Sequence, residues 1–464
     1  FSNDWKIGAF IFQSLEKWVE IPARFVKAVP WRMHQPIYIR NGLLIDPSQD
    51  RTETGDLFVR EGRIAALPPT PPKEALVIDA SGLVVAPGFI DLHVHLREPG
   101  GEDAETIETG SKAAARGGFT TIVSMPNTQP PIDIPDRVAF VRNRAESAGL
   151  VRVLPSACIT QGREGLALTE LEQLALAGAA AFTDDGSTVP ADELMRSAME
   201  RAARLSLPIM DHAHHRELER KGVMHEGEFS RRWKLPGIPS SAESRVVARD
   251  IELAGQTGCS LHIQHVSTRE SVERIRQARE RGLRITGEAT PHHLALTDAD
   301  IDPANANFKM NPPLRTPDDR QALIDGIRDG ILTTFATDHA PHTAQAKARG
   351  FLEAPFGIVG LETAVGVTYS LLVQAGIIDR PTWIKRWTVG PAHVLGLKPP
   401  SLAEGNAADL VLLDLSTEWK VQADQFQSRS RNTPFEGWKL IGRAAYTIGR
   451  GKIAWNREKP ALTR

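Results

Sequence analysis

The chain has 464 residues, 24% of them charged, and a formal net charge of −2 at pH 7. This balance offers no basic surface for a nucleic acid or an anionic membrane, and no apolar run reaches the roughly 18 residues that cross a bilayer. With only Cys158 and Cys259, a disulfide framework and a cysteine-based zinc site are excluded. These features predict a globular protein in a reducing, cytoplasmic setting.

The first 32 residues carry scattered aromatic and basic side chains but no signal-peptide pattern. Met33 directly precedes a clean strand pattern that starts near Ile37. We therefore expect Met33 to be the native start and residues 1–32 to be an extension peripheral to the fold. An amphipathic helix that docks a partner is the alternative for this segment.

Short apolar strands separated by turn residues occupy both ends of the chain. In residues 33–85 the turns are marked by pairs such as Asn41-Gly42 and Glu61-Gly62, and strands of the same style recur in residues 396–464. We predict that these two segments pair into one small β-sandwich domain. The rest of the chain would then be inserted between them.

Apolar strands alternate with helical patterns through the middle of the chain, residues 86–395. Eight such strand–helix units predict a (β/α)₈ TIM barrel. The strand patterns lie at 83–92, 120–126, 151–156, 179–185, 207–212, 259–265, 284–290 and 333–338. Helical patterns lie between them at 104–116, 136–148, 192–204, 241–257 and 269–281.

Six potential metal ligands occur at the carboxyl ends of the predicted strands. The first two, His93 and His95, are two residues apart, so on a strand both imidazoles point to one face. Arg97, two residues further, is expected on the same face. In a parallel barrel the strand ends surround one mouth, where active sites lie. The six residues expected to converge there are His93, His95, Asp185, His212, His265 and Asp338.

Imidazole and carboxylate ligands without a thiolate favour Zn²⁺, with Mn²⁺, Fe²⁺ or Co²⁺ as alternatives. We expect one or two ions per subunit. One pair of histidines would share the first ion, the other pair would hold the second, and a carboxylate would bridge the two. Asp185 is the predicted bridge and Asp184 the alternative, because spacing alone does not separate adjacent aspartates.

A metal-bound water has its pKa lowered towards 7, which supplies hydroxide at neutral pH without an activated serine or cysteine. Asp338 can ligate a metal, take a proton from attacking water and return it to a leaving nitrogen. The residue set therefore predicts metal-assisted hydrolysis at a carbonyl, or the reverse reaction.

Seven stretches together carry a family resemblance. They are GFIDLHVHLREPG (88–100), MPNT (125–128), FTDDG (182–186), HVST (265–268), TPHHL (290–294), FKMNPPLR (308–315) and TDHAPH (337–342). Through them the chain from Ile37 to Trp455 resembles the amidohydrolase superfamily, and most closely its class I dihydroorotases. The resemblance implies reversible cyclisation of N-carbamoyl-L-aspartate to L-dihydroorotate in pyrimidine (UMP) biosynthesis, with metal-activated hydroxide attacking in the reverse direction.

The resemblance also implies roles for single residues. His93 and His95 would bind one metal, His212 and His265 the second, and Asp338 would be the catalytic carboxylate. Other branches of the superfamily bridge the metals with a carboxylated lysine. No lysine occurs at the end of the fourth predicted strand here, which matches an aspartate bridge.

Substrate residues follow from the same resemblance. It implies that Arg97, Asn127 and His342 surround the carboxylate of dihydroorotate, and that Asn311 meets the amide edge of the ring. A guanidinium fork can bind a carboxylate through two parallel hydrogen bonds.

One stretch departs from the family pattern, because the chain reads DHAHH at 211–215 where relatives read AHCE or similar. We predict that His214 and His215 are surface residues at the start of a helix. The alternative is that they perturb metal loading.

Two other functions are alternatives. A dihydropyrimidinase- or allantoinase-like cyclic amidohydrolase would act on a ureide without the carboxylate, against which Arg97, Asn127 and Asn311 argue. A non-catalytic partner of a transcarbamoylase would not need an intact ligand set. We expect a homo-oligomer, with association with an aspartate transcarbamoylase as a further expectation, and no nucleic-acid or membrane partner.

Overall fold

The computed structural model describes residues 35–459. The predictions for Met33 and for residues 1–32 therefore lie outside the described residues. The strands are β1 (Ile37–Asp46), β2 (Arg51–Arg60), β3 (Arg63–Ala65), β4 (Leu76–Asp79), β5 (Val84–Pro87), β6 (Phe89–Val94), β7 (Phe119–Ser124), β8 (Arg152–Pro155), β9 (Ile209–Asp211), β10 (Met224–His225), β11 (Gly237–Ile238), β12 (Leu261–Ile263), β13 (Ile285–Ala289), β14 (Thr334–Phe335), β15 (Leu410–Lys420), β16 (Lys439–Gly449) and β17 (Lys452–Asn456).

The α-helices lie mainly between the strands of the central region. They are α1 (Ile107–Gly117), α2 (Pro135–Ala148), α3 (Leu171–Ala177), α4 (Asp192–Leu205), α5 (Arg216–Glu219), α6 (Glu228–Trp233), α7 (Ser241–Thr257), α8 (Arg269–Glu280), α9 (Pro291–Ala295), α10 (Pro317–Arg328), α11 (Ala344–Lys347), α12 (Gly350–Glu353), α13 (Ala364–Thr368), α14 (Arg380–Trp387) and α15 (Val389–Val394). The five helices predicted from the sequence correspond to α1, α2, α4, α7 and α8, with ends displaced by at most three residues.

The two ends of the chain share one eight-stranded sheet. Its strand order is β17-β16-β15-β5-β1-β2-β3, and β4 pairs with β1. The continuous ladder between the two segments is the antiparallel pairing of β15 with β5, in which Leu412 lies opposite Val85. Apolar side chains from both segments, such as Ile39 and Leu410, are fully buried in one cluster. The sheet therefore depends on both ends of the chain, while its limits as a separate domain stay a prediction.

The central region is α/β, with two parallel sheets. Strands β6-β7-β8 form one sheet, and β9-β12-β13-β14 form the other. Isolated parallel bridges connect the sheets: Phe182 pairs with Ala157 and with Ile209 on one side, and Val94 pairs with His339 on the other. The carboxyl ends of both sheets consequently face one region. The closed eight-stranded barrel stays a prediction, because these connections are single bridges and not continuous ladders.

The fourth predicted strand, 179–185, does not form as a regular strand. Its backbone bonds to both neighbours, with Ala180 N donating to Pro155 O at 2.8 Å and Phe182 N to Pro208 O at 3.1 Å, but only Phe182 forms β-bridges. The chain turns directly afterwards, where Ser187 N donates to Asp184 O at 2.8 Å and Gly186 adopts a φ of 74°. The turn ends the extended backbone at Asp184, so the segment stays too short for a regular ladder.

Aromatic side chains of α14 pack against three strands of the central region. Phe89, the first residue of β6, packs edge-on against Trp383 with ring centres 5.5 Å apart, and Trp387 packs against Phe119 at 5.2 Å. Phe335 of β14 contacts the same Trp387 at 5.1 Å. Such aromatic pairs contribute about 0.5–1.5 kcal/mol beyond their buried area. Helix α14 thus holds β6, β7 and β14 in register.

Among residues 35–459, none of the helices combines the length and the apolar character that a membrane crossing requires.

Asp46 gives a test of how the two ends of the chain are joined. Its side chain is fully buried, and it accepts hydrogen bonds from Ser48 N at 2.9 Å and from Ser401 Oγ and Leu402 N at 2.7 Å each. Asp46→Ala leaves these donors without an acceptor, so we expect the free energy of unfolding in urea to fall by about 1–3 kcal/mol. The exposed Glu74→Ala is the control; equal stability of the two variants would contradict this prediction.

Candidate metal centre

The end of β6 is tied to the segment that carries Asp338. Asp91 Oδ1 accepts from His93 N and from Thr337 N, each at 3.1 Å, and Asp91 Oδ2 accepts from the Thr337 hydroxyl at 2.6 Å. One residue beyond the strand, His95 N donates to His339 O at 2.8 Å. Because Asp91 is buried, its pKa is raised to about 7. The first and the last predicted ligands are therefore held in one local network.

Asp185 lies between two pairs of histidines. Its Oδ1 is 3.2 Å from His93 Nε2, and its Oδ2 is 3.5 Å from His95 Nε2. Its Oδ1 is also 3.5 Å from His212 Nδ1 and 3.8 Å from His265 Nε2. In each of the two groups, His93–His95–Asp185 and Asp185–His212–His265, the candidate ligand atoms lie within 4.8 Å of one another. The two groups share only Asp185.

Asp184 has a different role from its neighbour. Its carboxylate accepts from Ile159 N at 2.8 Å, from Thr160 N at 3.1 Å and from the Thr160 hydroxyl. Asp184 thus anchors the loop that follows β8 and points away from the histidines. The geometry favours Asp185 over Asp184 as the bridging carboxylate.

Asp338 completes the set of six predicted ligands. Its Oδ1 lies 3.1 Å from His95 Nε2 and 3.5 Å from His93 Nε2. Burial raises the pKa of Asp338, but the neighbouring His93 and His95 outweigh it and hold the pKa below its usual range. The residue is therefore ionised and close to both histidines of the first group.

The residues present fit one or two divalent ions. His93 Nε2 and Asp185 Oδ1 are buried and have no hydrogen-bond partner among the described residues. His212 Nδ1 and His265 Nε2 lie only 2.8 Å apart. Burial lowers the pKa of His95 and of His212, so both imidazoles favour the neutral form that metals bind. Buried nitrogen and carboxylate oxygen atoms that face each other in this way form a donor set that fits Zn²⁺ or a similar ion.

A compact cavity of about 220 Å³ opens onto these groups. The four predicted substrate-binding residues, Arg97, Asn127, Asn311 and His342, all line it. A larger cavity of about 610 Å³ opens near Leu207, Leu261 and Ile285, at the amino ends of β9, β12 and β13, and contains none of the predicted site residues. The candidate site is therefore identified by the residues that line the smaller cavity, and not by cavity size.

Arg97 reaches the cavity through a turn and not through strand alternation. Strand β6 ends at Val94, and Arg97 has a left-handed φ of 58°. The expectation that Arg97 continues the strand face of the two histidines is therefore wrong, because the regular alternation stops before it. Arg97 Nε donates to Pro341 O at 3.1 Å, and none of the ion pairs within residues 35–459 includes this guanidinium. Burial lowers its pKa to about 10, which leaves it charged at neutral pH.

Asn127 and Asn311 contact neighbours that the sequence did not suggest. Asn127 Oδ1 is 2.8 Å from His95 Nδ1, and its Nδ2 donates to Asp185 Oδ2 at 3.1 Å. Asn311 Nδ2 donates to Glu219 Oε1 at 3.3 Å. Asn127 thus orients two candidate ligands as well as lining the cavity.

His214 and His215 differ in their surroundings. His215 immediately precedes α5, as predicted for a helix start. His214 is not a surface residue: its side chain is 14% exposed, it contacts Glu219, and its ring centre lies 5.4 Å from that of His212. Burial lowers the pKa of His214 to about 3. The surface prediction is therefore wrong for His214, because α5 folds back over this segment.

Glu288 is the residue of this site that sequence reasoning missed. It lies on β13, is fully buried, and its Oε1 is 3.0 Å from His93 Nδ1. An acidic residue inside a predicted barrel strand was the available signal, since buried carboxylates need specific partners.

Known proteins similar to this chain agree in family. A family model described as dihydro-orotase-like matches residues 82–271. Dihydroorotase from Geobacillus sp. (strain WCH70) is 49% identical over 381 residues, which cover 82% of this chain and 89% of that protein. Dihydroorotase from Bacillus caldolyticus is 46% identical over 423 residues, which cover 91% of this chain and 99% of that protein.

Solved structures show the same fold. L-Hydantoinase (dihydropyrimidinase) from Arthrobacter aurescens has a TM-score of 0.80 at 25% identity, covering 92% of this chain and 97% of that one. Dihydropyrimidinase from Brevibacillus agri has a TM-score of 0.80 at 24% identity, covering 92% and 96%.

Adjacent aspartates give a matched test of the bridge. We expect Asp185→Asn to weaken Zn²⁺ binding by about 100-fold or more, since even partners outside the ligand set contribute about 10–100-fold. Asp184→Asn should keep the affinity and lower only the free energy of unfolding. The Zn²⁺ affinity of both metal-free variants is measured by competition with a chromophoric chelator. A larger loss of Zn²⁺ affinity in Asp184→Asn than in Asp185→Asn would contradict the assignment.

Proposed function

Because the chain belongs to the dihydroorotase family, we propose that it catalyses the reversible cyclisation of N-carbamoyl-L-aspartate to L-dihydroorotate in pyrimidine biosynthesis. Dihydroorotases and hydantoinases are metal-dependent cyclic amidohydrolases, and this chain is one of them. We further propose that the two parallel sheets close into a (β/α)₈ barrel, with the terminal sheet as a β-sandwich domain.

One observation carries the choice of substrate. The cavity that opens onto the histidines also contains Arg97, a charged guanidinium outside the ion pairs of the described chain. A desolvated cation without a carboxylate partner favours a ligand that supplies one. Dihydroorotate carries such a carboxylate beside its cyclic ureide, whereas hydantoin and dihydrouracil do not.

The proposed metal is Zn²⁺, held in two positions that share Asp185. His93 and His95 would hold the first ion, and His212 and His265 the second. When bound, such ions lower the pKa of a coordinated water and polarise a carbonyl oxygen.

The chain's own residues would then bind substrate and move protons. Arg97 would bind the carboxylate, and the His342 ring, 3.4 Å from Arg97 Nη2, would contact it from the side. Asn127 Nδ2 would exchange its long 3.4 Å contact with Asp185 O for the same carboxylate. Asn311 would meet the amide edge of the ring, its own amide held by Glu219.

Asp338 would be the proton carrier. In hydrolysis it takes a proton from the attacking water and delivers it to the ring nitrogen as the C–N bond breaks. In ring closure the ureide nitrogen attacks the side-chain carboxyl carbon and gives up a proton to Asp338. Asp338 passes this proton to the departing oxygen, which takes a second proton from solvent and leaves as water. Its position 3.1 Å from His95 Nε2 sets it at the cavity wall.

A homo-oligomer, an association with aspartate transcarbamoylase and a cytoplasmic location stay predictions.

Arg97 can be tested by comparing substrates. For Arg97→Ala we expect kcat/KM on dihydroorotate to fall by about 10- to 100-fold, the loss of a charged hydrogen bond. Activity on dihydrouracil, hydantoin and allantoin, assayed spectrophotometrically beside it, should not fall. Arg97→Lys keeps the positive charge but lacks the two parallel donors of the guanidinium. Its kcat/KM on dihydroorotate should therefore lie between that of the wild type and that of Arg97→Ala. An equal loss on substrates without a carboxylate would contradict the proposed role.

Asp338 can be tested by separating turnover from metal content. We expect Asp338→Asn to reduce kcat by about 10²- to 10⁴-fold, the usual contribution of a positioned acid–base group. Metal analysis of the same preparation should give nearly the wild-type content. Unimpaired turnover would refute the assigned role.

A further inference from the structure

We propose that Glu288 positions one ligand of each predicted metal site at the same time, by orienting the His93 ring and holding the backbone of His265. This inference rests on the proposed function only in that His93 and His265 bind metal. Glu288 itself does not touch the cavity, so it is a positioning residue and not a ligand.

The hydrogen bonds of Glu288 join both sites. Its Oε1 is 3.0 Å from His93 Nδ1 and 3.1 Å from His265 N, and its Oε2 is 2.9 Å from His262 Nε2. The Glu288, His93 and His262 side chains are all fully buried. A backbone N–H can only donate, so Oε1 is the acceptor in its bond with His265 N. Glu288 therefore acts as an acceptor at the centre of this network.

An acceptor at this position determines which nitrogen of His93 can bind metal. Because Glu288 Oε1 acts as an acceptor, the proton of His93 lies on Nδ1. The amide nitrogen of Gln264 is further from Nδ1, at 3.3 Å, and does not change this assignment. Nε2 is then the nitrogen without a proton when a metal is present, and it is the atom 3.2 Å from Asp185 Oδ1. A carboxylate on the far nitrogen also makes an imidazole a stronger ligand.

The second action of Glu288 is on the backbone of His265. His265 has a left-handed φ of 31°, a conformation that costs about 1–3 kcal/mol for a residue with a side chain. The hydrogen bond from His265 N to Glu288 stabilises this conformation. From the other side, Glu243 accepts from Ser267 N and Thr268 N, each at 3.1 Å. The ring of His265 is thereby directed towards Asp185 and His212.

His262 keeps the carboxylate itself in place. Its Nε2 binds Glu288 Oε2, while its Nδ1 lies 2.8 Å from the Thr286 hydroxyl. The chain Thr286–His262–Glu288 therefore crosses from β13 to β12 and back, beneath the metal site. Removal of Glu288 should weaken both sites together, because one oxygen atom serves both.

The test uses the full chain with Glu288→Gln and Glu288→Leu. Glutamine keeps the shape and one acceptor but loses the charge, and leucine keeps only the approximate volume. Zn²⁺ affinity of the metal-free proteins is measured by chelator competition, and the visible spectrum of the Co²⁺-loaded proteins reports ligand geometry. We expect Zn²⁺ affinity to fall by about tenfold in Glu288→Gln and about 100-fold in Glu288→Leu at both sites, with a changed Co²⁺ spectrum.

Asp46→Ala is the matched control for a merely structural effect. It also removes a buried carboxylate, so it should lower stability but leave Zn²⁺ affinity and the Co²⁺ spectrum unchanged. If Glu288→Leu does not fold, Glu288→Gln decides alone. Wild-type affinity and spectrum in the folded Glu288 variants would overturn the proposal while leaving the function intact. Absence of metal binding in the wild-type protein would overturn the metal assignments and this proposal together.

Discussion

The carboxylate of Asp185, buried between two pairs of histidines, is the constraint on which the rest of the site depends. A charge removed from water costs several kcal/mol unless other groups replace the lost hydration. Burial raises the pKa of Asp185, yet His93, His212 and His265 outweigh it and hold the pKa well below its usual range. The fold must therefore deliver imidazoles from separate strands to one point, which explains why both parallel sheets end at the same cavity.

Three residues at this cavity have backbone conformations that are unfavourable by themselves. Arg97, His265 and Asp338 have left-handed φ values of 58°, 31° and 47°. Residues with side chains keep such conformations only where the surroundings determine them several times over. Each has such support: His265 N binds Glu288, Asp338 follows a threonine held by Asp91, and Arg97 O accepts from Gly101 N at 2.8 Å. At these three residues, each of which lies two or three positions beyond the end of a strand, an unfavourable backbone conformation places the side chain at the cavity.

Regular periodicity could be predicted from the sequence, whereas contacts between distant segments could not. The ends of α7, Ser241–Thr257, follow from its apolar spacing and from Gly258, whose φ of 68° ends the helix. The pairing of His93 with His95 on one face follows from strand alternation. The choice of Asp185 over Asp184 as the predicted bridge does not, because it depends on Asp184 binding Ile159 and Thr160. Nor does the role of Glu288, whose partner His93 lies 195 residues away in the chain.

Arg97 and Asp185 are both charged groups that are removed from water, and their charges are opposite. Asp185 is a buried anion surrounded by histidines, which can bind metal cations. Arg97 is a partly buried cation outside every ion pair of the described residues. Each keeps its charge although burial disfavours it, so each gains most from a ligand of the opposite charge. A cavity that presents both groups favours a divalent cation together with an acidic substrate. A neutral ureide would leave the Arg97 guanidinium without a carboxylate in direct contact, which favours an acidic substrate without any steric exclusion.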